Sequence, residues 1–188
     1  MTLPPEPTTI RPATDADIDA VTAIYAHHVL HGRASFETEP PTAAEMRRRR
    51  AAVVDSGLPY FVAQRAGGAA AGEILGYAYA GAYRPRAAYA NTVENSVYLR
   101  ADAIGQGIGR RLLAALVAAC EQCGLRQMVA VVGDSANEAS IRLHEKLGFR
   151  RVGVLRDVGY KHGVWLDSVL LQRSLGAGSG LPPCRGDG

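Results

Sequence analysis

One carboxylate, Glu94, lies within an apolar segment, Val93-Glu-Asn-Ser-Val-Tyr98, whose pattern predicts a β-strand. A carboxylate beside an amine can accept its proton, directly or through a water molecule. A free α-amino group titrates at about pH 8, so at neutral pH most of it is protonated and needs a base before it can attack a carbonyl carbon. Glu94 is therefore a candidate general base. The alternative is a carboxylate on the solvent-facing side of the strand.

Two further kinds of side chain could complete such a reaction. His144, in Leu143-His-Glu145 of a predicted helix, titrates near neutral pH and could donate or accept a proton. The alternative is a partly buried histidine bonded to a carbonyl group. Arg84 and Arg86 lie two positions apart on the loop before the Glu94 strand. Paired guanidinium groups suit the capture of a carboxylate, such as that of an amino acid, and the alternative is two solvated arginines.

Three alternating glycines, Gly105, Gly107 and Gly109, separate a predicted strand from a predicted helix. Glycines there let backbone N–H groups converge at the helix N-terminus, where the helix dipole adds partial positive charge, so the turn suits a pyrophosphate. No Lys-Ser/Thr pair follows Gly109, which excludes a Walker loop, and the G-x-G-x-G spacing disfavours a dinucleotide fold. A glycine-rich turn without a ligand stays open as the alternative.

The elements that must position these residues follow from apolar periodicity and capping residues. Thr14 or Asp15 begins the first helix, and Thr42 begins the second, with Glu45 completing a capping box. The order β-α-α-β-β-β-α-β-α-β-β describes an α/β domain on a mixed sheet. Strands are predicted at 10–12, 60–64, 74–82, 91–99, 128–132, 151–160 and 164–172, and the later helices after Gly109 as far as Gly124 and at 137–147. We expect residues 10–175 to form the domain, between tails at 1–9 and 176–188.

Five segments, together with the glycine turn and the helix at 137–147, carry a family resemblance. They are Ser35-Phe-Glu-Thr-Glu-Pro40, Arg84-Pro-Arg-Ala-Ala-Tyr89, Val93-Glu-Asn-Ser-Val-Tyr98, Arg142-Leu-His-Glu145 and Gly159-Tyr-Lys-His-Gly-Val-Trp165. They resemble the GNAT acyl-CoA N-acetyltransferases and, within that family, the phosphinothricin and methionine sulfoximine N-acetyltransferases. The likeness covers about residues 10–175. The chain departs from the usual Gln/Arg-x-x-Gly-x-Gly/Ala pattern at Ile104, where the family has Gln or Arg.

The resemblance implies the GNAT fold, a mixed twisted sheet flanked by helices, with acetyl-CoA as co-substrate and a homodimer as the assembly. It implies Glu94 as the base. It also implies His144 in place of the tyrosine with which most of the family protonates the leaving thiolate, and a splayed strand whose main chain polarises the thioester. The residues implied for acetyl-CoA are Val97, Tyr98, Leu99, Gly105, Gln106, Gly107, Ile108, Gly109, Arg110, Asn137 and Ser140. Those implied for the acceptor substrate are Phe36, Glu39, Arg84, Arg86, Asn95, Lys161 and His162.

Composition excludes several classes of function. A formal net charge of +3 over 188 residues is too small to indicate nucleic-acid binding. No stretch approaches the roughly 20 apolar residues of a membrane span, and the first thirty residues lack a basic start followed by an apolar run. We therefore expect a soluble, cytoplasmic protein whose partner is a small molecule rather than nucleic acid or a membrane.

Three other patterns are best explained without a functional site. His27, His28 and His31 lack the third ligand that a zinc site needs, so we expect surface or pocket-edge histidines and no metal. The run at 47–50 is four arginines on successive helix positions, which point in different directions and predict a solvated helix. Cys120-x-x-Cys123 lies late in a helix and predicts core packing. An odd third cysteine, Cys184, argues against a disulfide framework.

Three functions follow from these residues and from the resemblance. The first is acetylation of the α-amino group of a small amino acid or analogue, of the phosphinothricin or methionine sulfoximine type, by direct attack on acetyl-CoA in a ternary complex. The second keeps the fold and acetylates protein amines, which would leave Arg84 and Arg86 without a role. The third is a non-catalytic acetyl-CoA-binding sensor, against which the presence of both Glu94 and His144 argues.

Overall fold

The computed structural model describes residues 7–183 and contains every predicted helix and strand in the predicted order. Short 3₁₀ turns lie at Asp15–Asp17, Ala87–Tyr89 and Ala101–Ala103. The elements are β1 (Thr8–Pro12), α1 (Ile18–His31), α2 (Ala43–Asp55), β2 (Tyr60–Arg65), β3 (Ile74–Ala82), β4 (Thr92–Leu99), α3 (Ile108–Gln122), β5 (Gln127–Gly133), α4 (Glu138–Lys146), β6 (Arg150–Lys161) and β7 (Val164–Ser174).

The strands form a 7-stranded sheet in the order β1-β2-β3-β4-β5-β7-β6. Neighbouring strands run antiparallel except for β4 and β5, which are parallel, so the sheet is mixed as predicted. β4 and β5 pair only where residues 92–95 lie opposite residues 127–130. Beyond that point β4 stays with β3 as far as Leu99, and β5 stays with β7 as far as Gly133. The two strands therefore diverge, and we call the opening between them the splay.

The main-chain groups that face the splay follow from the alternation of an antiparallel ladder. Arg100 N–H donates to Leu75 O on the β3 side at 2.9 Å. The register of β3 and β4 is uniform, so main-chain groups of even-numbered β4 residues face β3 and those of odd-numbered residues face β5. Val97 and Leu99 therefore direct their N–H groups into the splay, whereas the main chain of Tyr98 belongs to the β3–β4 ladder.

Helices α3 and α4 cover one face of the sheet, which we call the α3–α4 face. Leu112, Leu113 and Leu116 recur on one side of α3 and are fully buried, together with Ile141 of α4 and Phe149. Burying each such side chain contributes roughly 1.5–3 kcal/mol. This cluster fixes α3 and α4 against β3, β4 and β5, and the odd-numbered side chains of β4 point into it.

Helices α1 and α2 cover the other face, which we call the α1–α2 face. Its core combines aliphatic side chains of α1 with aromatic rings from the central strands. Tyr77 stacks on Tyr60 at 5.9 Å and on Tyr98 at 5.4 Å between ring centroids, and Tyr98 meets Tyr25 of α1 edge-on at 5.0 Å. The even-numbered side chains of β4 therefore point toward α1 and α2.

The capping residues behave largely as predicted. Thr14 precedes the first turn, where the Asp17 carboxylate accepts from its N–H and hydroxyl at 2.7 and 2.9 Å. Thr42 accepts from Glu45 N–H at 3.2 Å and begins α2. The other half of the predicted Thr42–Glu45 capping box, a bond from the Thr42 N–H to the Glu45 carboxylate, was wrong. That carboxylate accepts from Arg48 and Arg49 instead.

The ends of the chain differ from the expected tails. β1 begins at Thr8, two residues inside the tail expected at 1–9, because its residues pair with β2. On the other side of the domain, the guanidinium of Arg126 donates to Pro182 O at 2.9 Å, so part of the segment 176–188 is fixed against β5. Cys184 lies outside the described residues. Between residues 7 and 183, no helix is long and apolar enough to cross a membrane.

Candidate active site

A cavity of about 570 Å³ opens at the splay. Residues from both faces of the sheet line it, because the sheet has a gap where β4 and β5 diverge. From the α1–α2 face come Tyr25, Phe36, Glu37, Tyr79 and Glu94, and from the α3–α4 face come Asn95, Val97, Asn137, Ser140 and His144. Reactants on opposite sides of the sheet can therefore meet in a single space.

Glu94 enters this cavity from the α1–α2 face, because it is an even-numbered residue of β4. Its side chain is partly buried, and this burial raises its pKa above the usual value for a glutamate. The positive charge of Arg84 acts in the opposite direction. A carboxylate of raised proton affinity that lines a cavity is suited to taking a proton from an amine.

His144 reaches the cavity from α4 on the opposite face and is only 4% exposed. Its Nδ1 lies 2.7 Å from Ser140 O, one helical turn earlier, and its Nε2 lies 3.0 Å from Asn95 Oδ1. The ring also meets Phe149 edge-on at 5.1 Å. Burial lowers the pKa of His144, and the bond to Ser140 O opposes that effect.

The loop between α1 and α2 forms one wall of the cavity and is held by contacts from distant segments. The Lys161 ammonium group donates to Ser35 O at 2.7 Å, and Tyr25 Oη lies 2.9 Å from both Ser35 Oγ and Glu37 Oε1. Arg49 of α2 donates to Glu37 at 2.7 Å. These contacts give residues 35–37 a defined position at the mouth of the cavity.

Phe36 lies against two glycines. A Cβ atom on Gly159 would lie 2.5 Å from the Phe36 ring, and one on Gly133 would lie 2.9 Å from it. Real Cβ atoms do not come so close, so any larger residue at either position would displace the ring. Two glycines far apart in the sequence thus set how far Phe36 projects into the cavity.

The main chain of β4 supplies N–H donors at the splay. The N–H groups of Val97 and Leu99 point toward the space that β5 has left. They lie roughly 7 Å apart along the strand, so each can bind a different carbonyl oxygen. The imidazole of His28 donates from Nε2 to Leu99 O at 2.7 Å, which fixes the end of the strand. His28 therefore has a structural contact at the end of β4.

The glycine turn adopts a conformation that other residues disfavour. Gly105 and Gly107 have φ of 84° and 77°, in the left-handed region. Gly107 directly precedes α3, and no side chain caps this helix end, so the first N–H groups of a 15-residue helix are available to an anion. Ile108 is buried, so it can offer a ligand only its main chain, and Gln106 donates to Asp102 O at 2.8 Å.

Several residues assigned to the acceptor substrate lie elsewhere. Asn95 is an odd-numbered residue of β4, so its side chain lies on the α3–α4 face against His144, opposite Glu94. Lys161, 5% exposed, uses its ammonium group to hold Ser35 O. Arg84 and Arg86 are exposed on the loop before β4, and the Arg84 guanidinium lies 4.9 Å from the centre of the Tyr83 ring. Glu39 and His162 are exposed outside the cavity lining.

Asn95 lines the cavity from the α3–α4 face, and other assigned residues line it as well: Phe36, Glu94, Val97, Tyr98, Asn137, Ser140 and His144. The Asn137 side chain also caps α4 by accepting from Ser140 N–H at 3.3 Å. Tyr25, Ser35, Glu37 and Tyr79 also line the cavity and were not predicted from the sequence. Tyr79 alternates with Tyr77 on β3 and could have been placed by strand periodicity, but the contacts of Ser35 and Glu37 join distant segments and leave no local pattern.

Known proteins resemble the chain over nearly its whole length. Residues 10–170 match the family model described as the acetyltransferase (GNAT) domain. The phosphinothricin N-acetyltransferase of Alcaligenes faecalis is 55% identical over 175 residues, which cover 93% of this chain and 86% of that protein. The L-methionine sulfoximine/L-methionine sulfone acetyltransferase of Pseudomonas paraeruginosa is 41% identical over 166 residues, covering 88% and 94%.

A solved structure gives the same result for the fold. The crystal structure of a phosphinothricin acetyltransferase from Sinorhizobium meliloti in complex with acetyl-CoA superposes with a TM-score of 0.90 at 44% identity. The match covers 95% of this chain and 94% of that one. The predicted fold class is confirmed.

Proposed function

The chain belongs to the GNAT acetyltransferase family and is an acetyl-CoA-dependent N-acetyltransferase, and we propose that it acetylates the α-amino group of a small amino acid or analogue of the phosphinothricin or methionine sulfoximine type. The observation that carries the proposal is the cavity at the splay, which Glu94 and His144 enter from opposite faces. An acceptor amine on one face can then meet a thioester on the other, so the acetyl group moves within a ternary complex.

The residues on the α3–α4 face fit acetyl-CoA. The turn at Gly105 and Gly107 and the first N–H groups of α3, at Gly109 and Arg110, suit its pyrophosphate. Ser140 and Asn137 line the way to the splay. When bound, acetyl-CoA supplies an acetyl thioester, and the N–H of Val97 is directed to bind its carbonyl oxygen. The N–H of Leu99, roughly 7 Å further along the strand, is placed for another carbonyl oxygen of the cofactor.

On the α1–α2 face, Glu94 removes the proton that keeps the acceptor amine unreactive. Burial raises the pKa of this carboxylate, so the difference between its pKa and that of an α-amino group is smaller. The carboxylate works directly or through one water molecule. The nitrogen lone pair is then free to attack the acetyl carbon at the splay.

On the other face, His144 gives its Nε2 proton to the sulfur that leaves. The ring is fixed by Ser140 O and by the edge-on contact with Phe149. Because Glu94 accepts on one face and His144 donates on the other, the two proton transfers do not compete for the same site.

The acceptor is recognised by side chains of the α1–α2 face. Phe36 packs on its side chain, and Arg84 and Arg86, on the loop that leads to Glu94, bind its carboxylate. Lys161 shapes the site by holding Ser35 O. Glu39 and His162 lie at the outer rim.

Thiol release from acetyl-CoA tests the proposal across phosphinothricin, methionine sulfoximine, the common amino acids and a panel of peptides. We expect saturable turnover on the amino-acid analogues, with the product acetylated on its α-nitrogen. Turnover on peptides alone would assign the chain to protein amines. Binding of acetyl-CoA without turnover on any acceptor would leave a binding domain and contradict the proposal.

We also propose a homodimer through β6, the last strand of the sheet. Tyr160 and Trp165 are 62% and 64% exposed, and Val152, Leu155 and Val158 are exposed beside them. A long edge strand with an apolar surface is a template for pairing with another chain. Sedimentation of the wild type should give a dimer, and Val158→Glu should give a monomer, whereas Val54→Glu on α2 should leave the dimer intact. A monomeric wild type would contradict this proposal.

The cytoplasm is the compartment that we propose for the reaction, since that is where acetyl-CoA is available to a soluble enzyme. Cell fractionation tests the assignment. Recovery of the protein outside the cytoplasmic fraction would contradict it.

A further inference from the structure

His144 has an oxygen atom opposite each of its ring nitrogens. Nδ1 lies 2.7 Å from the main-chain oxygen of Ser140, and Nε2 lies 3.0 Å from the side-chain oxygen of Asn95. A carbonyl oxygen accepts hydrogen bonds and cannot donate them. Each ring nitrogen therefore needs its own proton to bond with the oxygen opposite it.

The orientation of the Asn95 amide is fixed by a second contact. Its Nδ2 donates to Val129 O on β5 at 3.2 Å. Turning the amide over would bring Nδ2 to His144 but would place Oδ1 against the Val129 carbonyl oxygen, where two acceptors would face each other. Asn95 is itself only 6% exposed, so water cannot readily replace the lost bond.

A neutral imidazole has one N–H and satisfies one of these two oxygens, whereas an imidazolium satisfies both. Resting on the function proposed above, we propose that Asn95 is a positioning residue that keeps a proton on His144 Nε2, where the departing thiolate of coenzyme A can take it. Asn95 acts through His144 and not on the acceptor substrate.

The proton transfer balances within this site. As the carbon–sulfur bond breaks, its electron pair stays on sulfur, and a new S–H bond forms with the Nε2 proton. His144 is left neutral, with Nδ1–H still donated to Ser140 O. The bare Nε2 then faces Asn95, whose oxygen favours the return of a proton from solvent before the next cycle.

Besides the Asn95 amide, burial and several titratable groups define the surroundings of His144. Burial opposes the protonated ring. Glu37 and Glu94, with the hydroxyls of Tyr25, Tyr79 and Tyr98, line the same cavity from the α1–α2 face. On α4, Arg142 pairs with Glu138, Glu145 pairs with Arg151, and Lys146 is exposed. Substitutions at Asn95 leave all of these in place, so they isolate the contribution of the amide.

The experiment compares Asn95→Leu, which removes the acceptor with little change in shape, and Asn95→Asp, which replaces it with a carboxylate. Gln172→Leu on β7 is the matched control, because it removes an exposed amide outside the cavity. The titration of the His144 ring is followed by ¹⁵N NMR in the free protein. The pH dependence of kcat/KM is measured with acetyl-CoA and phosphinothricin.

We expect the His144 titration midpoint to fall by about one pH unit in Asn95→Leu, because one charge-assisted hydrogen bond is worth about a tenfold change in proton affinity. It should rise in Asn95→Asp and stay unchanged in Gln172→Leu. The alkaline limb of the rate profile should move in the same direction as the midpoint. A purely structural role would lower the melting temperature of Asn95→Leu and leave both titrations in place, which would overturn the inference.

The NMR titration needs no turnover and so separates the two proposals. A wild type that acetylates none of the acceptors, with a midpoint that still shifts, would overturn the function and leave the role of Asn95 in His144 protonation standing. Turnover on these acceptors with an unchanged His144 midpoint would support the proposed function and overturn the role of Asn95. If Asn95→Leu does not fold, Asn95→Asp decides alone: a midpoint that fails to rise overturns the inference.

Discussion

The two faces of the sheet at the splay are built from different interactions. On the α3–α4 face the positions of the turn and helices come from leucine packing and main-chain geometry, with Leu112 and Leu116 fully buried. On the α1–α2 face the loop wall is held by side chains from distant segments, such as Lys161 on Ser35 O and Arg49 on Glu37. This difference matches two tasks, the binding of one constant cofactor and the binding of an acceptor that can vary. Main-chain donors suit a cofactor that never changes, and side-chain contacts can be exchanged to suit another acceptor.

The largest expected effect comes from Glu94→Gln, which removes the proposed base from the α1–α2 face only. We expect kcat to fall by about 10²- to 10⁴-fold, the usual contribution of a general base, with acetyl-CoA affinity unchanged. In the wild type, the rate should rise with pH through the raised pKa of Glu94, and this acidic limb should vanish in the variant. Glu121→Gln on α3 is the control. A kcat within twofold of wild type would remove Glu94 from the mechanism.

Val97→Pro changes the β4 main chain at the splay, which belongs to the cofactor side of the site. The N–H of Val97 faces the splay, so proline there removes the proposed donor to the thioester without breaking the β3–β4 ladder. We expect a folded protein whose kcat falls by about 10²- to 10³-fold, as for other lost oxyanion donors. Tyr98→Pro is the counterpart, because it removes a ladder bond and should unfold the sheet. Equal melting temperatures for the two variants would contradict the assignment of N–H directions.

Gly159→Ala sharpens the comparison by changing acceptor binding alone. The new methyl group would displace the Phe36 ring into the cavity, so KM for the acceptor should rise about tenfold or more, and KM for acetyl-CoA should stay the same. Gly153→Ala, on the same strand with open space around the added carbon, is the matched control. Phe36→Ala removes both the clash and the packing on the acceptor, so it should raise the same KM, and Gly159→Ala should add no further rise in that background. An acetyl-CoA KM that rises in parallel would show that the two faces are not independent.

The smallest effect concerns the ion pair between Arg11 and Asp17 at the start of α1. Hydrogen bonds from Arg11 lower the pKa of Asp17 from 3.8 to about 2. A carboxylate whose pKa is lowered by folding stabilises the folded state at any pH above its ordinary pKa. This stabilisation is lost as the pH falls toward 2. Asp17→Asn should therefore cost about 2 kcal/mol of unfolding free energy at pH 7, and the difference from wild type should shrink at acid pH. Chemical denaturation at several pH values measures it, with Asp55→Asn as the control.

The contrast between local interactions on one face and contacts between distant segments on the other explains what could be predicted from the sequence. Every helix and strand follows from local periodicity, and the glycine turn follows from residues only a few positions apart. Glu94 and Asn95 are neighbours in the sequence, yet strand alternation places their side chains on opposite faces of the sheet, which the assignment of Asn95 to the acceptor substrate did not take into account. The role of Lys161 depends on a contact with Ser35, 126 residues away, and a contact of that kind leaves no trace in a local pattern.

The splay also gives the enzyme an incomplete sheet. Beyond Asn95 and Ala130 the main-chain groups of β4 that face β5 have no strand opposite them, so the amide protons of Val97 and Leu99 should exchange quickly with solvent in the free protein. A ligand that offers carbonyl oxygens along this edge supplies the missing partner and slows that exchange. Its concentration in the cell then sets how resistant the centre of the fold is to local opening and proteolysis, in addition to setting the rate of the reaction.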